Sequence, residues 1–494
     1  MRDIAIIHLP GTISRIPPAA PALLKASILQ HGFTCTTVDF NIKLYHSGLP
    51  NITELETYFT SGLNTEVHDQ AVALINTYVD EVINLDPRFV GISVFTYQNR
   101  IATKLFCEEL RKRSSIKIIL GGQGLTDGGI LGSQGFAKDL QNQGIIDYYI
   151  KSEGERSLVE LLKSNFEAPG INSDSFDQIK NLDDYPIPDY SDYNLSLYDN
   201  VLPITASRGC VRACTFCDIH DHWAYRFRSG EVVANEIITL YNRYKVTHFS
   251  FTDSLINGSL REFKIFCKRL AEFNLTTGAN ITYRGQYIVR SSGQLDESYW
   301  ENLANSGAGF LSIGVETGSD RVRLHMNKKF TNADLDYTME QLDKYNITCA
   351  FLMIFGYPTE TEQDFQDTLD LFKRYQYLAN RIIKYIEFGS TLSILPGTPL
   401  YNNAKEYNIE LDKHENNWVA LDNVELTLAE RIRRRNTARQ YVIDLGYELS
   451  NDLFVHMLQI LETNLDHFEK RNQVKRCESS GYGLQCPHRE GLAN

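Results

Sequence analysis

Short runs rich in Val, Ile and Phe alternate with helical stretches along most of this 494-residue chain, and this alternation restricts its fold most. Five such runs lie in residues 1–165, at 4–9, 34–40, 89–95, 116–122 and 146–150. Helices are predicted near 19–30 and 66–84. Because continuous apolar runs separated by helices are typical of strands buried on both faces, they predict a parallel sheet. Residues 1–165 are therefore predicted to form a doubly wound, Rossmann-like α/β domain.

A second alternating series follows residues 166–202, which are polar, contain prolines and predict a linker. Residues 203–400 hold six strand candidates, at 203–207, 247–252, 278–283, 310–315, 347–355 and 386–395. Helices are predicted between them, near 231–244, 260–273, 296–305, 332–345 and 361–379. Six units are fewer than the eight of a complete barrel, so we predict a partial (β/α)6 barrel with its site at the strand C-termini. Residues 401–494 are predicted to be mainly helical with a flexible tail.

Composition and charge exclude several classes of protein. Hydrophobic residues make up 43% of the chain and charged residues 22%, which is typical of a globular protein. The net charge of −13 argues against general binding of nucleic acids or anionic membranes, because such proteins neutralise phosphates with basic side chains. The sequence shows neither a secretory signal nor a stretch long and apolar enough to cross a bilayer, so we expect a cytoplasmic protein. Nine unevenly spaced cysteines do not suit a secreted disulfide framework.

Three of the cysteines lie close together in SRGCVRACTFCDIH, directly after the first predicted barrel strand. Cys210, Cys214 and Cys217 fall within eight residues, so one tight loop can bring three thiolates to one metal centre. One interpretation is zinc, although structural zinc normally takes four protein ligands, and the nearby His220 and His222 lack ordinary spacing. A second interpretation is that the three cysteines are merely buried and bind no metal. The third is an iron–sulfur cluster with one open iron, since a fourth thiolate would close it.

This segment resembles the signature of the radical S-adenosylmethionine (radical SAM) superfamily, in which an aromatic residue, here Phe216, precedes the third cysteine. The resemblance implies a [4Fe-4S] cluster on the three cysteines, whose open iron binds S-adenosylmethionine, with Phe216 in contact with that cofactor. It also implies one-electron cleavage to a 5′-deoxyadenosyl radical, which abstracts hydrogen from an unactivated carbon. The electron would come from an external reductant of the flavodoxin or ferredoxin type. In such enzymes the cofactors carry the chemistry, while the protein supplies binding and excludes water.

Further loops of the predicted barrel resemble loops of the same superfamily. Asp253 and Ser254 follow the second predicted strand, Arg284 follows the third, and Glu316 follows the fourth. By this resemblance Asp253 and Ser254 meet the methionine amine, Arg284 pairs with the methionine carboxylate, and Glu316 contacts the ribose hydroxyls. Each residue alone has an ordinary alternative as a turn residue or a solvated charge. Their shared placement at strand C-termini supports them as a set.

Residues 1–165 resemble the cobalamin-binding domain that precedes the barrel in one subgroup of this superfamily. The segments PPAAPALLKASILQHG, VGISVFTYQN and DYYIKSEGERSLVELL carry the resemblance. Gly121, Gly122 and Gly124 would let the backbone approach cobalamin closely. The Asp-x-His-x-x-Gly segment that supplies a cobalt ligand in some members is missing, so His8 is predicted to be a strand-end residue. The alternative is a structural lid that binds no cofactor.

The resemblance implies cobalamin-dependent methylation of an unactivated carbon in a small-molecule or peptide substrate. Radical rearrangement, cyclisation or oxidation without methyl transfer is the first alternative. A non-catalytic, metal-binding redox sensor or scaffold is the second. Specificity residues inside a barrel follow no readable motif, so the sequence predicts neither the substrate nor a catalytic residue.

Five arginines stand at helical spacing in the C-terminal region: Arg431, Arg433, Arg434, Arg435 and Arg439. One interpretation is a solvated helix face balanced by acidic residues, and the other is a patch for an anionic substrate or cofactor phosphate. Cys477, Cys486 and His488 are predicted to lie in an exposed tail. The remaining cysteines are predicted to be packing residues: Cys35, Cys107, Cys267 and Cys349.

Overall fold

The structure, a computed structural model, describes residues 2–11, 15–125, 135–151, 153–174, 178–219, 223–412 and 414–450. The chain divides into two compact units. The first comprises Met1–Gly209, His222–Gly285 and Asn305–Ala308, and the second comprises Cys210–Asp221, Gln286–Ala304 and Gly309–Asn494. The four-part division of the chain made from the sequence stays a prediction.

The N-terminal part of the first unit is a parallel sheet of five strands: β1 Arg2–His8, β2 Cys35–Asp39, β3 Pro87–Ser93, β4 Lys117–Gly121 and β5 Tyr148–Ile150. Their order is β2-β1-β3-β4-β5, and every pair is parallel. In this flavodoxin-like order the topological switch point lies between β1 and β3, where ligands bind at the strand C-termini. The predicted doubly wound domain is confirmed.

Helices accompany this sheet: α1 Ala19–Gln30, α2 Phe40–Tyr45, α3 Ile52–Ser61, α4 His68–Asn84, α5 Arg100–Arg113, α6 Phe136–Asn142 and α7 Gly154–Leu162. The alternating residues of a strand point to opposite faces, and both faces of β1 are buried here. Ile4 and Ile6 belong to one apolar core, and Ile7 belongs to another. Continuous apolar runs therefore form strands because each side of the sheet needs apolar side chains.

The following strands are β6 Val201–Ile204, β7 Ser207–Arg208, β8 Arg226–Phe227, β9 His248–Phe251, β10 Thr282–Tyr287, β11 Ala308–Glu316, β12 Thr348–Met353 and β13 Ile383–Phe388. Strands β7 and β8 form a separate antiparallel pair. The other six form one sheet in the order β13-β12-β11-β10-β9-β6. In the first unit β9 pairs in parallel with β6 and β10, and in the second unit β12 pairs in parallel with β11 and β13. This sequential parallel order confirms the partial barrel.

Helices of this second half are α8 Gly230–Tyr244, α9 Leu260–Thr277, α10 Glu297–Asn305, α11 Asp320–His325, α12 Asn332–Lys344, α13 Glu362–Arg374, α14 Pro399–Asn402 and α15 Leu428–Asp444. Helices α12 and α13 begin at capping boxes, Thr331 with Asp334 and Thr361 with Asp364. Between α14 and α15 lies an antiparallel pair, β14 Ile409–Glu410 and β15 Val419–Ala420. No helix in the described ranges is long and apolar enough to span a membrane.

Three predicted barrel strands are displaced. The first is Val201–Ile204 rather than 203–207. The third barrel strand begins at Thr282 rather than 278, because α9 continues to Thr277 and ends at Gly278 with a left-handed φ of +65°. The last strand is Ile383–Phe388 rather than 386–395. The predicted tail residues Cys477, Cys486 and His488 lie outside the described residues.

Candidate metal centre

The loop that carries the three cysteines begins directly after β7. Gly209 opens it with φ +74°, and a side chain there would lie 2.7 Å from the carbonyl oxygen of Trp223 and 2.6 Å from that of Ala224. Glycine is therefore required by the close approach of the two ends of the loop. The pair β7–β8 joins these ends, with Arg208 directly opposite Arg226.

Within the second unit, hydrogen bonds hold the backbone of the cysteine loop. The Thr215 backbone N–H donates to the Met326 carbonyl at 3.2 Å, and the Asn327 side-chain amide donates to the Ala213 carbonyl at 2.7 Å. The Thr215 hydroxyl lies 2.9 Å from the hydroxyl of Tyr357, which follows β12. These hydrogen bonds therefore fix the part of the loop that lies between Cys210 and Cys217.

The three cysteines are free thiols, with Cys214 buried and Cys210 and Cys217 half-buried. Burial raises the pKa of all three thiols, that of Cys217 to about 12. Lys328 lowers the pKa of Cys210 and Cys214, so a positive charge partly offsets burial there. A coordinating metal deprotonates thiols outright, and three thiolates beside a cation fit a cluster with one open iron.

The described metal-ligating side chains form no ready-made site for a single ion. No three His, Cys, Asp or Glu side chains in the described parts of the chain, the three loop cysteines included, converge to hold one metal ion. His220 and His222 lie outside the described residues. The cysteines predicted to be packing residues are buried or half-buried, which confirms that prediction: Cys35, Cys107, Cys267 and Cys349.

Glu316 is the last residue of β11 and forms an ion pair that the sequence did not suggest. Its Oε1 lies 2.8 Å from Nζ of Lys328, and about a tenth of each side chain is exposed, 10% and 11%. Glu316 has a left-handed φ of +66°, beside a register shift between Gly314 and Glu316. Such a conformation costs a residue other than glycine roughly 1–2 kcal/mol, so the surrounding structure must hold it.

Lys328 is the residue of this site that sequence reasoning missed. It lies between Asn327 and Lys329, which both have φ +59°. Its Nζ lies 6.0 Å from the ring centroid of Phe216, which is half-buried against an apolar core of the second unit. One available signal was Asn327, because asparagine tolerates left-handed backbone after a helix end. The structure thus gives Phe216 a packing role, and its predicted contact with S-adenosylmethionine stays a prediction.

Asp253 and Ser254 belong to the first unit and follow β9, as predicted. The Asp253 carboxylate is buried and accepts hydrogen bonds from the Ser207 hydroxyl at 2.6 Å and the Ala206 backbone N–H at 3.0 Å. Burial raises the pKa of Asp253 to about 6, although these hydrogen bonds act against it. Asp253 therefore fixes the backbone before the cysteine loop, while the predicted contact of both residues with the methionine amine stays a prediction.

Arg284 is placed differently from the sequence expectation. It lies inside β10 rather than after it, because α9 extends further than predicted and displaces the strand. Its side chain is exposed, and Nε donates to the Ser250 hydroxyl at 3.0 Å. Its position after the third strand was wrong, and its pairing with the methionine carboxylate stays a prediction.

The three glycines after β4 differ in their surroundings. A side chain on Gly122, which has φ +115°, would lie 2.5 Å from the Val94 carbonyl oxygen, and one on Gly124 would lie 2.5 Å from that of Thr96. Packing between the loops after β3 and β4 therefore requires both glycines. A side chain on Gly121 would meet nothing closer than 3.8 Å. Cobalamin contact stays a prediction for all three.

His8 is the last residue of β1, at the switch point of the first sheet. It is buried, and its Nδ1 lies 3.1 Å from Oδ1 of Asp39. The Tyr198 hydroxyl donates to the other oxygen of Asp39 at 2.9 Å. One nitrogen of the imidazole ring is thus held by Asp39 inside the domain, in keeping with a strand-end residue.

The C-terminal arginines do not form a solvated face. Arg431, Arg434 and Arg435 are buried, while Arg433 and Arg439 are exposed. The Arg431 guanidinium lies 3.9 Å from the ring centroid of Trp418 and donates to the carbonyls of Leu426 and Trp418. Arg434 pairs with Glu360 at 3.1 Å. The solvated interpretation was wrong for these three, because backbone carbonyls accept from Arg431, the Glu360 carboxylate pairs with Arg434, and Arg435 is buried beside the side-chain oxygen of Asn436.

The fold and this site define a partial β/α barrel protein with a three-cysteine loop that follows β7. Residues 204–372 match the model of the Radical SAM superfamily.

Two methyltransferases are among its curated relatives. The bacteriochlorophyllide d C-12(1)-methyltransferase of Chlorobaculum tepidum is 26% identical over 226 residues, 44% of this chain and 46% of that protein. The cytidylyl-2-hydroxyethylphosphonate methyltransferase of Streptomyces wedmorensis is 24% identical over 203 residues, 38% of this chain and 37% of that protein. The chain therefore spans half the length or less of these two relatives.

Two solved structures share the fold over most of the chain. The radical S-adenosylmethionine methyltransferase TsrM from Kitasatospora setae, solved with cobalamin and a [4Fe-4S] cluster, has a TM-score of 0.60 at 16% identity, covering 83% of this chain and 81% of its own. The cobalamin-dependent S-adenosylmethionine radical enzyme OxsB, solved with aqua-cobalamin, has a TM-score of 0.61 at 15% identity, covering 83% and 61%. The resemblance in fold predicted from the sequence is thereby confirmed.

Proposed function

We propose that this protein is a radical SAM enzyme that holds a [4Fe-4S] cluster on Cys210, Cys214 and Cys217 and methylates an unactivated carbon with the help of cobalamin. The observation that carries the proposal is the fixed loop with three free thiols, at the start of a radical SAM domain. When bound, the cluster, S-adenosylmethionine and cobalamin supply the one-electron chemistry and the methyl group. The methyltransferase relatives support methyl transfer as the reaction.

The chain's own residues hold the site and balance its charge. Three thiolates concentrate negative charge on the loop, and Lys328 provides a cation beside them. Coulombic attraction is stronger in a buried site than in water, so this lysine lowers the cost of holding the thiolates. The same lysine keeps the Glu316 carboxylate in one place, which suits its proposed contact with the ribose of S-adenosylmethionine.

Cobalamin is proposed to bind at the C-terminal edge of the first sheet, near the switch point between β1 and β3. An added carbon on Gly121 would lie 3.8 Å from the Ile150 carbonyl oxygen without a clash, so the fold itself does not require this glycine, which supports a close approach of the backbone to a ligand as its role. His8 is proposed not to ligate cobalt, because the Asp-x-His-x-x-Gly segment that supplies the usual ligand is missing. We further propose a cytoplasmic location with a flavodoxin- or ferredoxin-type reductant, since the site needs reduced thiols and single electrons.

The cluster is tested by anaerobic reconstitution of the full chain. We expect a brown protein with about four irons per chain, and near-complete loss of iron in Cys210→Ala, Cys214→Ala and Cys217→Ala. Cys35→Ala, at a half-buried cysteine of β2, is the control and should retain its iron. Reduced protein with S-adenosylmethionine should release 5′-deoxyadenosine. A folded, active protein that is iron-free, or that binds one zinc instead, would overturn the proposal.

Methyl transfer is tested separately. Reconstituted protein mixed with hydroxocobalamin should keep its cobalamin absorbance after desalting. Once substrates are screened, S-adenosylhomocysteine should form together with 5′-deoxyadenosine. Deoxyadenosine without S-adenosylhomocysteine would refute methyl transfer and favour rearrangement, cyclisation or oxidation.

A further inference from the structure

Two arginines face each other where the ends of the cysteine loop meet. Arg208 in β7 is the direct cross-strand partner of Arg226 in β8. Like charges directly opposite each other destabilise an antiparallel pair. Solvent screens them little, because only 22% of the Arg208 side chain and 11% of the Arg226 side chain are exposed. The antiparallel pair β7–β8 therefore needs a negative charge from another part of the chain to offset its two arginines.

Glu153, the N-cap residue of α7, supplies that charge. Its Oε1 lies 2.8 Å from Nη1 of Arg208 and 2.7 Å from Nη2 of Arg226, so one carboxylate oxygen bridges the opposed guanidinium groups. The Arg226 Nη1 also donates to Oε2 of Glu153 at 2.9 Å. Only 2% of the Glu153 side chain is exposed. Glu155, in the first turn of α7, adds a second carboxylate 2.6 Å from Nη2 of Arg208.

Residues from the predicted linker complete these contacts. The Ile179 backbone N–H donates to Glu153 at 2.5 Å, and the Ile179 carbonyl accepts from Arg226 at 2.6 Å. Arg208 donates to the Tyr185 hydroxyl at 2.6 Å and lies 4.7 Å from the centroid of its ring. Burial alone would raise the pKa of Glu153, but the two arginines and the Ile179 N–H hold it below its usual value. The carboxylate is therefore ionised at neutral pH.

We propose that Glu153 is a positioning residue that closes the cysteine loop, with Glu155 as its support. Without its carboxylate, two poorly screened cations would oppose each other at the stem, and the contact of Gly209 with Trp223 and Ala224 would loosen. The geometry of the three thiols then depends on a residue contributed by the N-terminal domain. The consequence of this inference for a cluster rests on the proposed function, whereas closure of the loop can be tested in protein that holds no cluster.

The first experiment measures loop closure in the iron-free full chain. Alkylation of Cys210 and Cys217 by iodoacetamide is followed by mass spectrometry, because both thiols are half-buried and should react faster when the loop opens. We expect Glu153→Gln to raise their alkylation rate about tenfold and Glu155→Gln about threefold. Glu160→Gln, on the same helix but paired only with surface neighbours, should leave the rate unchanged. Equal rates in all four folded proteins would overturn the proposal.

The second experiment separates loop closure from a general loss of stability. If Glu153 acts by offsetting the opposed cations, then Arg226→Gln added to Glu153→Gln should return the alkylation rate most of the way to that of the wild type. A carboxylate that only stabilises the fold would instead give additive losses in the double variant, which would overturn the inference. Should Glu153→Gln fail to fold, Glu155→Gln with and without Arg226→Gln provides the same comparison.

The third experiment connects loop closure to the cluster. In reconstituted protein, the rate of iron loss to a chelator should rise in Glu153→Gln and recover in the double variant. A wild-type protein that takes up no iron would refute the proposed cluster, and the alkylation rates would still decide the role of Glu153. Iron loss that does not follow the alkylation rates would refute the link between loop closure and cluster retention.

Discussion

Nζ of Lys328 lies 2.8 Å from Oε1 of Glu316, and both side chains are close to nine-tenths buried. The carboxylate ends a barrel strand, and the ammonium group follows the next helix, beside the cysteine loop. Because so little of either side chain is exposed, water cannot solvate one charge fully when the other is removed. Removing one member of such a pair costs more than removing both, because the remaining charge stays buried without a partner.

Lys328→Met is therefore expected to lower the free energy of unfolding by about 3 kcal/mol. The double variant Lys328→Met/Glu316→Gln should recover at least half of that loss, since no unpaired charge remains. Urea unfolding of the iron-free protein measures both, and Lys329→Met, at the exposed neighbouring lysine, is the control. Equal losses in the single and double variants would show that the ion pair is not what holds this segment.

A pair of adjacent glycines tests the loops at the edge of the first sheet. Gly122→Ala should lower the free energy of unfolding by about 3 kcal/mol, because it combines a left-handed φ with a clash against the Val94 carbonyl. Gly121→Ala, with no atom closer than 3.8 Å to the added carbon, should change it by less than about 1 kcal/mol. Both are measured by urea unfolding without cobalamin. A tolerated Gly122→Ala would leave cofactor contact as the reason for that glycine.

The C-terminal helix offers a comparison between a buried and an exposed arginine. Arg431→Met should cost about 3 kcal/mol in unfolding free energy, because the carbonyls of Leu426 and Trp418 lose a buried donor. Arg433→Met should change stability by no more than about 0.5 kcal/mol, since about half of that side chain is exposed. Thermal and urea unfolding check both variants. Similar small effects would restore the solvated-face interpretation of this helix.

The strands of both sheets could be predicted because each one is a short apolar run, and burial on two faces demands that pattern. The displaced third barrel strand shows the limit of this reasoning. TCTTVDF and GANITY were both predicted to be strands, but the helix before GANITY continues to Thr277 and ends at Gly278. Packing of α9 against α8, which the sequence does not display, extends the helix beyond its local signal.

The site could be predicted only where its residues are close in the sequence. Cys210, Cys214 and Cys217 lie on one loop, so their spacing alone identified them. The pairing of Glu316 with Lys328 and the contact of Arg431 with Trp418 join different segments through folded loops. The periodicity of apolar residues in the sequence does not predict such contacts, because helical spacing shows which residues share a face but not what covers that face.

Asp253 gives the stability of the protein a characteristic dependence on pH. Burial raises its pKa to about 6 from its ordinary value of 3.8, so between these values the folded protein keeps a proton that the unfolded chain has released. The contribution to stability is therefore full below about pH 4 and is lost as the pH rises through about 6. From about pH 4.5 to about pH 7 the unfolding free energy of the wild type should fall by about 2 kcal/mol relative to Asp253→Asn.

Urea unfolding of the wild type and Asp253→Asn at these two pH values measures the difference. The asparagine keeps an oxygen that can accept from Ser207 and the Ala206 N–H but does not titrate, so it removes the proton while preserving the local hydrogen bonds. Asp370→Asn, at an exposed carboxylate of α13, should follow the wild type at both pH values. If the wild type instead gained stability relative to Asp253→Asn as the pH rose, hydrogen bonds to the carboxylate would outweigh its burial, and the pKa of Asp253 would lie below 3.8.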